Sequence, residues 1–159
     1  MGKAETPKRP SRYSETVRRI AAEQLVKPVA EWLEENASGE LLETLTRHAD
    51  GDSYTFARNL DRAGWFPDGA LVEILSEYSD YKAWRRASAD WVKMFDIEVP
   101  YSVGDLVQAR GERCVVVKVD REIAQVTVQP MDKPNPSFGA EGGYLHPFEE
   151  VTPLAQQAA

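Results

Sequence analysis

The sequence predicts an α+β protein in two parts, a helical domain of about five helices followed by a small antiparallel β-structure. Three observations carry this reading. From Ser14 to about Asp96, apolar residues recur at every third or fourth position. From Pro100 onward they alternate with polar ones in short valine-rich runs. Clusters of Gly, Asp, Ser and Pro punctuate both regions where helix caps and hairpin turns would fall. Hydrophobic residues at 42% and charged residues at 28% lie near globular averages, so a folded chain is expected.

Residues 1–12, MGKAETPKRPSR, combine two prolines with clustered Lys and Arg and no apolar period, the pattern of a disordered basic tail. The helical domain is expected over residues 13–97. Its first stretch carries Val17, Ile20, Ala21, Leu25, Val29 and Trp32, and Pro28 predicts either a kink or a second helix with the proline in its first turn. Ser38 stands where it would cap a helix bearing Leu41, Leu42 and Leu45. Asp52 or Ser53 caps the next helix, which runs through Leu60 and stops at a left-handed Gly64. Pro67 and Asp68 open a helix with Leu71, Ile74, Leu75 and Tyr78 on one side. A last helix sets Tyr81, Trp84, Ser88, Trp91, Val92 and Phe95 on one face.

The change of period places a link at about residues 97–102. Val103, Leu106 and Val107 precede a turn at Arg110–Glu112, then come CVVVKV, a tight turn at Asp120–Glu122, and a strand with Ile123, Val126 and Val128. The loop at 131–143 holds too many prolines for a central strand. Gly142–Gly143 reads as a turn, LHPFEEVTP as one or two edge strands, and residues 154–159 as a frayed C-terminus. The V-G-D-x-V opening at Val103, Gly104, Asp105 and Val107, the hairpin at Asp120–Glu122 and the last strand near Val151 resemble the small SH3-like barrels of the KOW and Tudor type over residues 101–153. That resemblance implies an SH3-like antiparallel β-barrel whose final strand follows a 3₁₀ turn, with Phe148 as the anchor that closes it.

The formal net charge of −7 is unevenly spread. Residues 1–19 carry six Lys/Arg against two Asp/Glu, residues 20–99 eight against sixteen, and residues 100–159 five against eight. An acidic body repels nucleic-acid backbones and anionic membranes and attracts basic protein surfaces. No apolar run approaches the roughly 18 residues of a membrane span and the N-terminus lacks the apolar core of a secretion signal, so a cytoplasmic location with no membrane partner is expected. MGKAET fits a loose myristoylation pattern that matters only in a eukaryotic cell. The single cysteine, Cys114 in RCVVVKV, permits no intrachain disulfide, and with two distant histidines makes no zinc site. It reads as a small apolar strand residue.

Several constellations have a functional and a structural reading. Phe56–Leu75 has the outline of a helix-turn-helix, yet its second helix would bring Asp68, Glu73, Glu77 and Asp80 and no Lys or Arg to a duplex bearing about one charge per 1.7 Å, so it is read as a packed helical hairpin. His48, Asp50 and Asp52 have the spacing of a cation site but equally that of a turn followed by a cap. Tyr81, Trp84, Trp91 and Phe95 beside Arg85 and Arg86 would make a stacking platform if exposed. At helical spacing they read as a core face, with the arginines free to pair with Glu73 or Glu77. His146 has Glu149 and Glu150 nearby for acid–base tuning, but no motif supplies a nucleophile.

The expected function is that of a non-enzymatic, acidic protein-binding module with no cofactor and no metal, whose partner is a protein with a basic surface. Glu34, Glu35 and Glu40 are the expected acidic contacts, in a carboxylate-rich stretch that would imitate a nucleic-acid backbone. Phe138 and Tyr144 are expected to supply apolar contacts from the barrel loops. One concrete version is a virus- or plasmid-encoded inhibitor of a nucleic-acid-handling machine. Two alternatives stand beside it: a nucleic-acid-binding accessory protein using the basic tail, Arg85–Arg86 and the barrel, and an unrecognised enzyme joining His48 or His146 to distant carboxylates. Neither the oligomeric state nor the identity of the partner can be read from the chain.

Overall fold

The computed structural model of the chain describes residues 5–132 and 142–154, and these divide into two units. Lys8–Ala87 form a helical unit. Ser88 onward, with the residues up to Pro7, form a sheet unit. Each has its own buried cluster. The division falls after Ala87, inside a helix, and not at the link near residues 97–102 that the change of period suggested, because Trp91 and Val92 pack into the apolar cluster of the sheet unit.

Among the described residues, four helices lie wholly within the helical unit. α1 (Glu15–Leu33) starts where Ser14 Oγ accepts from the Val17 amide, 3.3 Å away. It buries Val17, Ala21, Leu25 and Val29, spaced four apart, and ends at Glu34 in the left-handed region at φ 57°. Pro28 neither ends it nor opens a new helix. The proline removes one hydrogen bond, while fully buried Leu25 and Val29 on either side hold the chain helical. α2 (Gly39–His48), α3 (Ser53–Arg62) and α4 (Gly69–Leu75) are capped by Ser38, Asp52 and Asp68, each accepting from the third amide onward, and Gly64 takes a positive φ of 98° in the turn after α3. α5 (Asp80–Phe95) begins in the helical unit, with Ala83, Trp84 and Ala87 buried. Phe95, placed on the buried face by periodicity, is 42% exposed. No helix among the described residues is long and apolar enough to cross a membrane.

Residues Pro7–Arg12, expected as a disordered tail, make specific contacts. In the sheet unit, the Trp91 indole donates to the Pro7 carbonyl at 2.9 Å. In the helical unit, the Trp84 indole donates to the Pro10 carbonyl at 3.1 Å, and Arg12 binds Asp80 through Nη2 at 2.9 Å.

The sheet unit is antiparallel, with strands β1 (Leu106–Ala109), β2 (Glu112–Asp120), β3 (Gln125–Pro130), β4 (Tyr144–Pro147) and β5 (Val151–Pro153) in the order β4-β3-β2-β1-β5. Arg110 and Gly111, at φ 51° and 77°, make the two-residue positive-φ turn that joins β1 to β2. The second hairpin is wider than the expected tight turn. Asp120 pairs with Gln125, so Ile123 and Ala124 belong to the loop and not to the strand, because the Asp120 carboxylate holds the Glu122 amide and Ala124 is left-handed. β3 buries four consecutive residues, Gln125 to Val128, as a strand covered on both faces does. A 3₁₀ turn at Phe148–Glu150 separates β4 from β5. The closed barrel is not found. The sheet is open, with no pairing of β4 to β5 among the described residues, and both outer strands are short and end in proline, which has no amide to extend a ladder.

Gly143 leads into β4 against the backbone of β3, and a Cβ there would meet the Val128 carbonyl oxygen. We expect Gly143→Ala to destabilise the sheet by about 1–3 kcal/mol, read as a lower denaturation midpoint. Gly69→Ala, where nothing lies within 4 Å, should leave the midpoint unchanged or raise it. Equal midpoints for the two variants would mean that β4 moves aside freely.

Candidate functional site

The helical unit holds an open cleft of about 830 Å³ between α1, α4 and the start of α5. One carboxylate shapes it. Asp68 Oδ1 accepts from the Leu71 amide at 2.9 Å, which caps α4, and from the Trp32 indole at 3.0 Å, which ties the end of α1 to the start of α4. Trp32 also stacks on Trp65 at 6.2 Å. Apolar side chains line the inner part of the cleft, with Leu25 and Ala83 buried and Ile20 and Ile74 half-buried.

The rim is charged with both signs. Glu73 and Glu77 stand on the α4 side, Lys82 and Arg86 on the α5 side, all four exposed. Among the described residues no ion pair joins the two sides, so the expected pairing of Arg86 with Glu73 or Glu77 is not made. Arg85 instead lies over the Tyr81 ring, 5.8 Å from its centroid. Pro28 supplies a further polar feature. Lacking an amide hydrogen, it cannot bond the Gln24 carbonyl, and both residues line the cleft.

Of the residues expected to contact a partner, Glu34, Glu35 and Glu40 are exposed and sit together where α1 turns into α2. Glu34 is the left-handed cap of α1, the Glu35 amide bonds the Ala30 carbonyl at 3.0 Å, and Glu40 lies in the first turn of α2, where a carboxylate suits the positive helix end. Tyr144 belongs to the sheet unit, at the start of β4, and is 46% exposed. Phe138, with most of the loop expected to carry specificity, lies outside the described residues.

The remaining constellations resolve into local structure. α4, the second helix of the helix-turn-helix outline, has seven residues and no cation. Asp50 Oδ1 accepts from the Asp52 amide, Asp52 caps α3, and the His48 carbonyl accepts from Asn59, so these residues build the α2–α3 turn. Tyr81 and Trp84 stack at 6.1 Å. Arg9 lies over Trp84 and Arg12 over Tyr81, so two cations of the N-terminal segment cover this platform. In the sheet unit, β-pairing brings Cys114 and His146, 32 positions apart in sequence, to one small cavity of about 170 Å³ together with Tyr144. Burial, and then the Glu112 charge, push the Cys114 thiol up, which keeps it protonated and a poor nucleophile. His146 Nδ1 is 3.7 Å from Glu150. Neither the cleft nor this cavity has a signature in residue spacing, since each is built by elements that meet only in the fold.

Comparison with known proteins adds no relative: no family model, no curated protein and no solved structure matches the chain.

The Asp68 carboxyl is held below the usual carboxylate range, first by its bond from the Leu71 amide and, against some desolvation, by the Trp32 indole. A depressed folded-state value stabilises the fold above the ordinary carboxylate range, and that contribution is lost as pH falls through the folded value. Thermal denaturation from pH 7 down to pH 2 should therefore show a shallower acid decline for Asp68→Asn, which keeps an acceptor for both donors but does not titrate. Asp68→Ala should melt lower already at neutral pH. An acid profile identical to that of the parent in Asp68→Asn would remove Asp68 as a source of the acid sensitivity.

Proposed function

We propose that the protein is a non-enzymatic binding module whose acidic helical unit docks on a basic surface of another protein. The supporting observation is the group of exposed carboxylates at Glu34, Glu35 and Glu40, none of which is engaged in an ion pair among the described residues. Carboxylates left uncompensated on one side of a folded unit steer a cationic partner and hold it in a salt-dependent way. Occupation of a phosphate-binding groove on a nucleic-acid-handling protein is one concrete form of such a contact, and a virus- or plasmid-encoded inhibitor would use it.

The sheet unit fits the reading of an SH3-like module. Its support is the strand order β4-β3-β2-β1-β5 with a 3₁₀ turn between β4 and β5, where Phe148 packs on the apolar cluster and its amide bonds the Ala124 carbonyl. Tyr144 on the edge strand would then add apolar contact area, together with Phe138, six positions earlier in the sequence. The nucleic-acid alternative draws on the N-terminal cations. Arg12, bound to Asp80, and Arg9, over Trp84, would have to leave those positions to reach a phosphate.

Capture from lysate of the source cell on the full chain, eluted with rising salt, tests this reading. We expect a partner with a basic surface that is released by salt, and retention about tenfold weaker for the chain carrying Glu34→Gln, Glu35→Gln and Glu40→Gln, from three contacts worth roughly 0.2–1 kcal/mol each. A partner indifferent to both salt and the triple substitution overturns it. A salt-sensitive duplex DNA shift that disappears when residues 1–12 are removed would favour the nucleic-acid alternative instead.

A further inference from the structure

We propose that the cleft between α1, α4 and the start of α5 is a docking groove for a single amphipathic helix of the partner protein, with basic residues along the flank that faces α4 and acidic residues along the flank that faces α5. This deepens the protein-binding reading above and rests on it, while committing to a different surface from the carboxylates of the α1–α2 turn.

Shape and polarity come first. A cleft of about 830 Å³ with Ile20, Leu25 and Ile74 along its apolar part accepts the ridge that a helix presents at positions i, i+3 or i+4, and i+7. Its walls are helices and offer no strand edge, so an extended peptide would find no ladder to join.

Charge selects the occupant further. Lys82 and Arg86 are four residues apart on α5, like charges at helical spacing and an arrangement that is unfavourable in the free protein, while Glu73 on α4 and Glu77 in the turn after it carry the negative charge of the opposite side. Among the described residues no ion pair joins the two sides. An occupant with cations on one flank and carboxylates on the other relieves both. A fatty acid, with a single carboxylate, can relieve only the cationic side.

The test uses displayed peptides of about 18 residues, five helical turns, in which a Leu stripe is fixed and both flanks are randomised among Lys, Glu and Gln, selected on the full chain. The expected result is enrichment of peptides with Lys on one flank and Glu on the other. Their binding should fall about tenfold or more with Ile74→Glu, the loss expected for a central apolar contact. The double variant Lys82→Glu with Arg86→Glu changes only exposed side chains and should reverse the preference at the Glu flank to Lys. That reversal is a readout that misfolding cannot produce. No enrichment over an unrelated protein, or selected peptides that bind the double variant with unchanged flank preference, overturns the groove. So does a fluorescent fatty acid that binds the cleft and is not displaced by the peptides. If the captured cellular partner still depends on salt and on Glu34, Glu35 and Glu40 while the peptides fail, only the groove falls and the broader binding reading stands.

Discussion

A tryptophan indole is a large apolar body with one N–H that must find an acceptor once water is excluded, and that requirement organises much of this chain. Trp32 meets it with the Asp68 carboxylate, 36 positions away. Trp84, in the helical unit, uses the Pro10 carbonyl, 74 positions away, and Trp91, in the sheet unit, uses the Pro7 carbonyl, 84 positions away. Trp84 and Trp91 are buried and Trp32 is half-buried, and each bonds a distant segment. Proline suits the two N-terminal acceptors because its own missing amide keeps the segment out of a helix, and its carbonyl is left for the indole. The N-terminal basic stretch is thereby committed to structure, and its arginines follow, Arg9 over Trp84 and Arg12 on Asp80.

The same constraint sets the geometry of the cleft. Asp68 would cap α4 wherever that helix pointed, because the cap needs only the Leu71 amide. Accepting the Trp32 indole on the same oxygen fixes where α4 starts relative to the end of α1. α4 then leaves that point as a short helix whose Leu71 and Leu75 are buried while Ile74 and Glu73 face the cleft. Pro28 lies on the facing wall, in a helix that tolerates it because Leu25 and Val29 beside it are fully buried. A cleft framed by a doubly used carboxylate and a proline-interrupted hydrogen-bond ladder is a product of tertiary contacts on both sides.

That origin explains which features were legible in the sequence. Caps are local, so Ser38 and one of Asp52 or Ser53 could be named from their positions, as could a helix start at Pro67–Asp68, the stop at Gly64 and a hairpin turn at Arg110–Glu112, where backbone conformation is decided within four residues. The α+β order followed from the change of period, which is also local. What was not legible depends on partners far along the chain. Pro28 carried a local signal of a break that burial overrode. β3 looked half-buried from its alternation, yet Gln125 and Thr127 are buried as well. The open sheet is a matter of which strand edges meet, and no spacing encodes it. The expected contacts Glu34, Glu35 and Glu40 were visible as a charge run, whereas the cleft, lined by residues from 20 to 86, had no contiguous signature.

The acidic residues of the helical unit differ in what their carboxylates touch. Asp52 and Asp68 accept backbone amides at helix starts, and both carboxyls are held below the usual range, Asp52 first by the Thr55 hydroxyl and then by the Thr55 amide, Asp68 first by the Leu71 amide. Asp80 binds Arg12. Such carboxylates are already committed to the fold and have little left for a partner. Glu34, Glu35, Glu40, Glu73 and Glu77 are exposed, and among the described residues no ion pair takes them. A net negative charge alone would say only that the chain repels phosphates. Position adds more: Glu34, Glu35 and Glu40 at the α1–α2 turn and Glu73 and Glu77 beside the cleft face water, as do Glu15, Glu23, Glu31, Glu43 and Asp61 elsewhere on the helical unit.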